Sequence, residues 1–278
     1  MRIAAYQAPL LPCGSMEAVG LIRQRVDRCE AEGVDILCCP EAVLGGLADD
    51  AARPADQAID VEGGQLEAVL RPLASRTVTT ILGFTEMTAT GHLYNAAAVF
   101  HRGTVVGLYR KLHPAIRKSV YRAGDRLPVF AAGDLTFGIV ICNDSNHPDL
   151  ARTIACRGAA AMFVPTNNGL PPEKADVVAE ARAVDISRAQ ENRRWVIRAD
   201  VAGRTPDRVS YGSSCIVDPE GTVLQAARPL TEDLLIAEID PPRRGGNEGR
   251  RFHSSGEVNS PNGCASVRNE GRRTKCCT

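Results

Sequence analysis

The stretch Val34-Asp-Ile-Leu-Cys-Cys-Pro-Glu41 is the clearest guide to the class of fold, because an apolar run of strand length stops at a proline and an acid follows at once. Upstream, residues 2–7 alternate weakly between polar and apolar side chains, as in a strand. Residues 18–29 carry apolar side chains at helical spacing, and Gly33 closes that predicted helix. A strand, a helix and a second strand in this order predict an α/β domain with buried parallel strands.

Farther along the chain, a predicted hairpin occurs together with predicted crossover helices. Residues 93–101 and 104–109 are separated by a two-residue turn and are expected to form antiparallel strands. Residues 135–141 are expected to form a buried strand, and helices are predicted over 149–157 and 173–192. A purely alternating, doubly wound sheet does not fit this mixture. We therefore predict two β-sheets packed face to face with helices outside.

The composition excludes several classes of function. The 278 residues include 33 lysines and arginines and 33 aspartates and glutamates, so the formal net charge is zero. Such a chain is not attracted to nucleic acid or to an anionic membrane surface, and we expect neither as a partner. No apolar run reaches the roughly 18 residues of a membrane span, and the N-terminus lacks the apolar core of a signal peptide. A cytoplasmic location is expected.

The ten cysteines do not indicate a metal site. No two of them have the C-x-x-C spacing of zinc ribbons or thioredoxin-like sites. In a chain of this length without an export signal, most are expected to be reduced thiols buried as small apolar side chains. We therefore predict no metal and no cofactor.

The sequence changes character near Arg243. Residues 243–278 are dominated by Arg, Gly, Ser and Asn, and they carry eight lysines and arginines against three acidic residues. This stretch has too little apolar surface to offset the entropy lost on ordering. The composition fits either a disordered tail or a tail read in a shifted frame. We predict one folded domain over residues 1–242 and an atypical or disordered tail over 243–278.

Three side chains that are able to do chemistry each follow a predicted strand. Cys142 follows Leu135-Thr-Phe-Gly-Ile-Val-Ile141, Glu41 follows the run quoted first, and Lys111 follows the second strand of the hairpin. A thiol at the carboxyl end of a strand lies near free backbone N–H groups, which favour the thiolate. Taken singly, Glu41 and Lys111 fit solvated loop residues, and Cys142 fits a buried sulfur equally well.

Taken together, the three segments resemble the nitrilase, or carbon–nitrogen hydrolase, superfamily. That family uses a Glu–Lys–Cys triad in this chain order, with each residue at a strand end. Further matches run through the chain to about residue 242: Gly83-Phe-Thr-Glu86, Leu93-Tyr-Asn-Ala-Ala97, Pro165-Thr-Asn167, Arg182-Ala183 with Glu191-Asn192, and Gly212-Ser-Ser214 before Asp218-Pro-Glu-Gly221. Each motif is weak alone, whereas their order and spacing together are specific.

The resemblance implies an α/β fold that is a four-layer αββα sandwich of two mixed β-sheets flanked by helices. It also implies hydrolysis of a non-peptide C–N bond. Cys142 is then the nucleophile that forms a thioester acyl-enzyme, and Glu41 is the general base and acid. Lys111 and the backbone N–H of Asn143 are expected to stabilise the tetrahedral oxyanion.

The chain departs from the family at one point that concerns the substrate. Many members place a second glutamate after the lysine, but residues 112–123 contain no acid and the first one is Asp125. Either Asp125 or a water substitutes for it, or the substrate is positioned differently. Asn143 and Asp144 follow the nucleophile, where true nitrilases usually have Trp-Glu. We therefore predict that the substrate is a small linear amide or an N-carbamoyl compound, with release of ammonia, in preference to a nitrile.

Several further expectations concern binding and assembly. The loops 42–60, 113–127, 143–148 and 166–172 are expected to shape the pocket. Candidate substrate-binding residues in addition to Asn143 are Asn167, Tyr94 and Arg117. Arg117 and its neighbour Lys118 fit a substrate carboxylate, but the pattern favours two solvated charges.

Family members commonly pair through the helices that correspond to 149–157 and 173–192, and we therefore expect a homodimer through this region. Helix 173–192 carries apolar residues on two sides, whereas packing on one sheet needs only one.

Two readings from other classes remain open. A papain-like thiol hydrolase needs a histidine beside Cys142, and His113 and His147 are the candidates. A non-catalytic α/β binding relative needs no reactive thiol at all.

Overall fold

The fold is built from short strands that alternate with few helices. A computed structural model describes residues 1–115, 118–172, 177–206 and 208–240. Its strands, in chain order, are β1 (Arg2–Pro9), β2 (Ile36–Cys38), β3 (Ala58–Asp60), β4 (Thr79–Met87), β5 (Leu93–His101), β6 (Thr104–Arg110), β7 (Val129–Ala132), β8 (Leu135–Ile139), β9 (Ala161–Pro165), β10 (Trp195–Ala199), β11 (Val201–Arg204), β12 (Val209–Ser210), β13 (Cys215–Val217), β14 (Val223–Ala226) and β15 (Asp233–Glu238). Its α-helices are α1 (Ala18–Ala31), α2 (Gln65–Leu70), α3 (Pro148–Cys156) and α4 (Val177–Asn192).

The strands form two mixed sheets. The first has nine strands, with the order β12-β11-β1-β2-β4-β5-β6, and with β15 beside β1 and β3 beside β4. The second has six, in the order β14-β13-β10-β9-β8-β7. Parallel pairs such as β1–β2 and β8–β9 lie beside antiparallel pairs such as β4–β5 and β10–β13 in the same sheets. The expected αββα sandwich of two mixed sheets is therefore confirmed.

The period-2 alternation of β1 shows how the layers are stacked. Ile3 belongs to a core cluster that also contains Phe137 and Phe163 of the second sheet. Its neighbour Ala4 belongs to a separate cluster that contains Ile22 of α1 and Leu66 of α2. Successive strand residues face opposite sides, so the first sheet packs on the second with one face and on α1 and α2 with the other. On the far side, α3 and α4 pack on the second sheet through residues such as Ile154 and Ala189.

The structure corrects some of the predicted boundaries. The predicted pocket loop 42–60 contains β3, and β7 lies in a stretch with no predicted element. The mainly apolar run from Trp195 to Val201 is divided between two strands, because β10 lies in the second sheet and β11 pairs with β1 in the first. Asp200 alone separates the two, so the chain crosses between the sheets within one residue.

The structure can be compared with the predicted end of α1 and, in part, with the predicted extent of α4. Gly33, with φ of +66°, ends α1 as predicted. The predicted helix over 173–192 is α4, whose first four predicted residues lie outside the described residues. The predicted tail over 243–278 also lies outside them. Within the part that the structure describes, no helix is long and apolar enough to cross a membrane.

Candidate active site

Glu41 is held in the interior at the end of β2. The chain leaves β2 through Cys39 and Pro40, and Glu41 is only 2% exposed. Its backbone N–H donates to the carbonyl of Thr166, at 3.2 Å. The segment passes so close to β4 that a Cβ on Gly83 would lie 2.3 Å from the Pro40 carbonyl oxygen. A glycine at residue 83 is therefore what allows the acid to be buried here.

Three hydrogen-bond donors hold the Glu41 carboxylate. Lys111 Nζ donates to Oε1 at 2.6 Å, and Asn95 Nδ2 donates to the same oxygen at 2.7 Å. The backbone N–H of Asn167 donates to Oε2 at 2.9 Å. Burial lowers the pKa of Lys111, but the charge of Glu41 and the hydrogen bond to it outweigh this effect, and the pKa is raised overall. Lys111 is thus a fixed buried cation.

Cys142 lies on a strained turn beyond β8. Its φ of +46° falls in the left-handed region, which is unfavourable for a residue with a Cβ. The residue begins a short 3₁₀-helix, Cys142–Asn146. Backbone N–H groups in the first turn of a helix lack intrahelical acceptors, so the N–H of Asn143 is in a position to serve an oxyanion.

Asp144 links this turn to the segment that carries Lys111. Its Oδ2 accepts hydrogen bonds from Tyr109 Oη at 2.7 Å and from the backbone N–H of Ile141 at 3.1 Å. Its Oδ1 accepts from the backbone N–H of His113 at 2.8 Å. Burial raises the pKa of Asp144, and these donors and Lys111 oppose the rise. One buried carboxylate therefore fixes the nucleophile turn relative to the β6 segment.

Asn168 presents an acceptor to the thiol. Its Nδ2 donates to Asp200 Oδ2 at 2.9 Å and to Ser213 Oγ at 3.2 Å. Since both amide hydrogens are committed there, Oδ1 is the atom that faces Cys142, 4.0 Å from Sγ. Asp200 is itself buried and also accepts from the backbone N–H of Asn168, at 3.0 Å. Asn168 is thereby held rigidly against the nucleophile.

The resting state of Cys142 differs from the sequence expectation. Burial and the negative charge of Glu41 raise the pKa of the thiol above its ordinary value, although Lys111 and Arg198 act in the opposite direction. The expectation that backbone N–H groups favour the thiolate is therefore wrong for the resting protein. At neutral pH the sulfur is a thiol, and a base must remove its proton during attack.

A cavity of about 250 Å³ opens above these residues. All four predicted loop segments contribute to it, which confirms that expectation. Its lining also includes residues of α4, β5, β10 and β12 or their flanks. The lining residues are Glu41, Leu47, Asp49, Asp50, Asn95, Lys111, Pro114, Ala115, Tyr121, Cys142, Asn143, Ser145, Asn146, Asn167, Asn168, Gly169, Leu170, Glu180, Ala181, Arg198 and Arg208.

The structure brings together five of the seven predicted site residues: Glu41, Lys111, Cys142, Asn143 and Asn167. The side chain of Tyr94 is not among the cavity-lining groups. Its ring lies 4.2 Å from the guanidinium carbon of Arg110, on the opposite face of β5 from Asn95. Arg117 lies outside the described residues. Asp125 is exposed and does not line the cavity, so it does not replace the missing second glutamate.

His113 and His147, the two candidates for a papain-like site, do not lie beside Cys142. Their rings stack on each other with centroids 3.6 Å apart, and neither lines the cavity. The chain therefore does not build a thiol–imidazole pair from His113 or His147.

Sequence reasoning missed Asn95, Asp144, Asn168 and Arg198. Asn95 follows the predicted Tyr94 on the same strand. Successive strand residues face opposite sides, so only one of the two can point into the cavity, and the sequence alone does not say which. Arg198 could have been recognised from the sequence, because it lies within the apolar run Trp195-Val-Ile-Arg-Ala199. A charge buried in such a strand is normally paired with an opposite charge.

The chain is similar to several known proteins. A family model described as carbon-nitrogen hydrolase matches residues 2–246. A protein of Pseudomonas protegens named hydrolase in pqqF 5'region is 31% identical over 248 residues, which cover 86% of this chain and 83% of the relative. An (R)-stereoselective amidase of a Pseudomonas species is 30% identical over 214 residues, which cover 76% of this chain and 75% of the relative.

A solved structure has the same fold. It is a variant of an amidase from Nesterenkonia sp. AN1, with the acetamide moiety of fluoroacetamide added covalently at its active-site cysteine. The TM-score is 0.72 at 22% identity, and the match covers 87% of this chain and 90% of the amidase. With the family model matching nearly the whole chain, the protein belongs to the carbon–nitrogen hydrolase family.

Proposed function

We propose that the protein hydrolyses the C–N bond of a small linear amide or N-carbamoyl compound through a thioester on Cys142, with release of ammonia. The observation that carries the proposal is the arrangement of Glu41, Lys111 and Cys142 on one cavity, with the first two in direct contact. An acid, a cation and a thiol in one buried space are the groups that acyl transfer needs. The amidase name of one relative supports the substrate class.

Acylation begins with attack of the Cys142 sulfur on the substrate carbonyl carbon. Glu41 accepts the thiol proton as the C–S bond forms, because the raised pKa of the thiol leaves no thiolate waiting. Lys111 and the backbone N–H of Asn143 stabilise the oxyanion of the tetrahedral intermediate. The C–N bond then breaks, and Glu41 returns the proton to the leaving nitrogen, which departs as ammonia.

Deacylation reverses the roles with water in place of the thiol. Glu41 takes a proton from water as the water oxygen attacks the thioester carbon, and the same donors hold the oxyanion. The C–S bond breaks, the sulfur recovers its proton from Glu41, and the acid product leaves. No step uses a metal, so we expect EDTA to leave the rate unchanged.

The proposal is tested with a panel of small amides, N-carbamoyl compounds and nitriles, with ammonia release as the readout. Trapping of the acyl-enzyme is followed by mass spectrometry of the Cys142 peptide. Cys142→Ala is expected to abolish turnover, and Cys156→Ser, an exposed cysteine on α3, is the matched control that keeps it. Lys111→Ala is expected to reduce kcat by roughly 10²–10³-fold through lost oxyanion stabilisation. Turnover of nitriles alone, or full activity in Cys142→Ala, would overturn the proposal.

A further inference from the structure

Arg198 is a buried cation beneath the cavity that the proposed mechanism does not use. It lies within β10, is 2% exposed and contributes to the cavity lining. Its Nε and Nη2 donate to the two carboxylate oxygens of Asp185 on α4, both at 2.6 Å. Burial lowers the pKa of Arg198, but the charge of Asp185 and its hydrogen bonds outweigh this, so the pKa is raised overall. Arg198 is a permanent charge that forms a buried ion pair with Asp185.

The remaining donors of Arg198 reach both halves of the candidate site. Nη2 donates to Ser145 Oγ at 3.0 Å, and Ser145 Oγ donates to the carbonyl oxygen of Cys142 at 2.8 Å. Nη1 donates to Thr166 Oγ1 at 2.7 Å, and the carbonyl of Thr166 accepts the backbone N–H of Glu41 at 3.2 Å. One planar guanidinium therefore braces the strained turn of the nucleophile and the segment on which the acid is docked.

We infer that Arg198 is a positioning residue, which holds the Cys142 turn and the Thr166 segment in register and places a buried positive charge behind the nucleophile, with Asp185 as its counter-ion. The inference rests on the proposed function of Cys142. Arg198 faces the cavity, whereas Asp185 is fully buried behind it. The cation therefore acts on the sulfur more directly than its counter-ion does, and its charge lowers the pKa of Cys142.

If Arg198 acts through its charge, substitutions of Arg198 and of Asp185 should shift the pH midpoint for alkylation of Cys142 in opposite directions. We expect Arg198→Met to raise the midpoint of the pH profile for iodoacetamide alkylation of Cys142 by about one unit, because it removes a favourable charge. Asp185→Asn is expected to lower that midpoint, because Arg198 is then no longer neutralised. Alkylation is quantified on the Cys142 peptide by mass spectrometry, so the other cysteines do not contribute. A purely structural ion pair gives shifts of the same sign or none, and either result overturns the inference.

Breaking a buried ion pair on one side can prevent folding, so two further variants are included. Arg198→Met combined with Asp185→Asn leaves no unpaired charge, and it is expected to raise the midpoint by less than Arg198→Met alone. Ser145→Ala keeps both charges and the bond to Thr166 and removes only the link to the Cys142 turn, so kcat should fall about tenfold with an unchanged midpoint. Circular dichroism checks that each variant is folded. An unchanged midpoint in the folded double variant, or full kcat in Ser145→Ala, overturns the inference.

The alkylation readout does not depend on turnover. If the wild-type protein hydrolysed no amide but the midpoints moved as stated, the proposed function would fail while the effect of Arg198 on the thiol stood. If amides were hydrolysed and the midpoints did not move, only the inference about Arg198 would fail.

Discussion

Glu41 opposes the ionisation of the same thiol that it is proposed to deprotonate. Its negative charge is one of the causes that raise the pKa of Cys142, second only to burial. The contradiction disappears if the proton moves directly from sulfur to carboxylate while the C–S bond forms, because the two charges then never coexist. The site thus stores the proton on the thiol until a substrate is present, and an idle cysteine is kept from reacting with other electrophiles.

Glu41→Gln is therefore expected to affect alkylation and turnover in opposite directions. Loss of the carboxylate charge leaves Lys111 unneutralised, so the midpoint of the pH profile for alkylation of Cys142 should fall below that of the wild type. Turnover should fall by roughly 10²–10⁴-fold, because no general base remains. Alkylation of the Cys142 peptide and ammonia release, measured on the same samples, check both directions.

The matched control for this change is Glu86→Gln. Glu86 is equally buried and also pairs with a cation, Arg110, but it does not line the cavity. Its replacement should leave the alkylation midpoint in place. If both variants moved the midpoint alike, the effect would reflect general loosening of the first sheet, and the role assigned to Glu41 would be rejected.

At the residue scale, the sequence predicted three residues that follow strands, and it did not indicate Asn95 and Arg198, which lie within strands. Glu41, Lys111 and Cys142 each follow a strand, and the rule that strand ends meet at one edge is local. Arg198 gains its place from Asp185, thirteen positions earlier on a different element, and nothing in either local pattern indicates the other. A contact between elements becomes visible only once their packing is known.

Among the elements, β4 has the tightest steric requirement at the site. The Glu41 segment crosses it at Gly83, where an added methyl group would meet the Pro40 carbonyl and the Ala42 nitrogen at 2.3 Å and 2.5 Å. These are backbone atoms, which cannot rotate away as a flexible side chain does. Space at this position is therefore a condition for burying the acid.

Gly83→Ala is expected to displace Glu41 and to reduce kcat/KM by about 10²-fold, since a misplacement near 1 Å has that effect on positioned groups. The free energy of unfolding should fall by about 1–3 kcal/mol because of the overpacking. Activity assays and thermal unfolding measure the two effects. Gly20→Ala in α1, where a Cβ meets nothing within 4 Å, is the matched control and should gain up to about 1 kcal/mol in stability. Full activity in Gly83→Ala would contradict this account.

The predicted elements were most accurate where the pattern was continuous and failed where the chain changes sheets. The hairpin β5–β6 was predicted because its turn residues, Arg102 and Gly103, separate two apolar runs, and both adopt positive φ in the structure. The crossing at Asp200 was not visible, because β10 and β11 together read as one uninterrupted strand. A sheet assignment depends on the partner strand, and that information is absent from the strand itself.

For the whole molecule, we predict a homodimer through α3 and α4. On α4, Ile186 and Ala189 pack towards the second sheet, while Ala183 is exposed and Val184 is half-buried. A two-fold contact would bring this outer face against its own copy. Light scattering at micromolar concentration is expected to give twice the 29.7 kDa mass of the chain.

Charge insertion locates the interface. Ala183→Glu is expected to shift the population to monomer, whereas Ala68→Glu, on the exposed side of α2 in the opposite helical layer, should leave the dimer intact. A dimer that survived Ala183→Glu would place the interface elsewhere, and a single species of chain mass in the wild type would exclude pairing altogether.

The division of the site between two sheets has a consequence for folding during synthesis on the ribosome. Glu41 and Lys111 belong to the first sheet and Cys142 to the second, and β15, the last described strand, pairs with β1. During synthesis the acid and the ammonium emerge first, the thiol follows about thirty residues later, and the strand that completes the first sheet comes nearly a hundred residues after that. A chain released early therefore carries the three side chains without the assembled site, and the proposed acyl transfer can begin only when synthesis of the fold is complete.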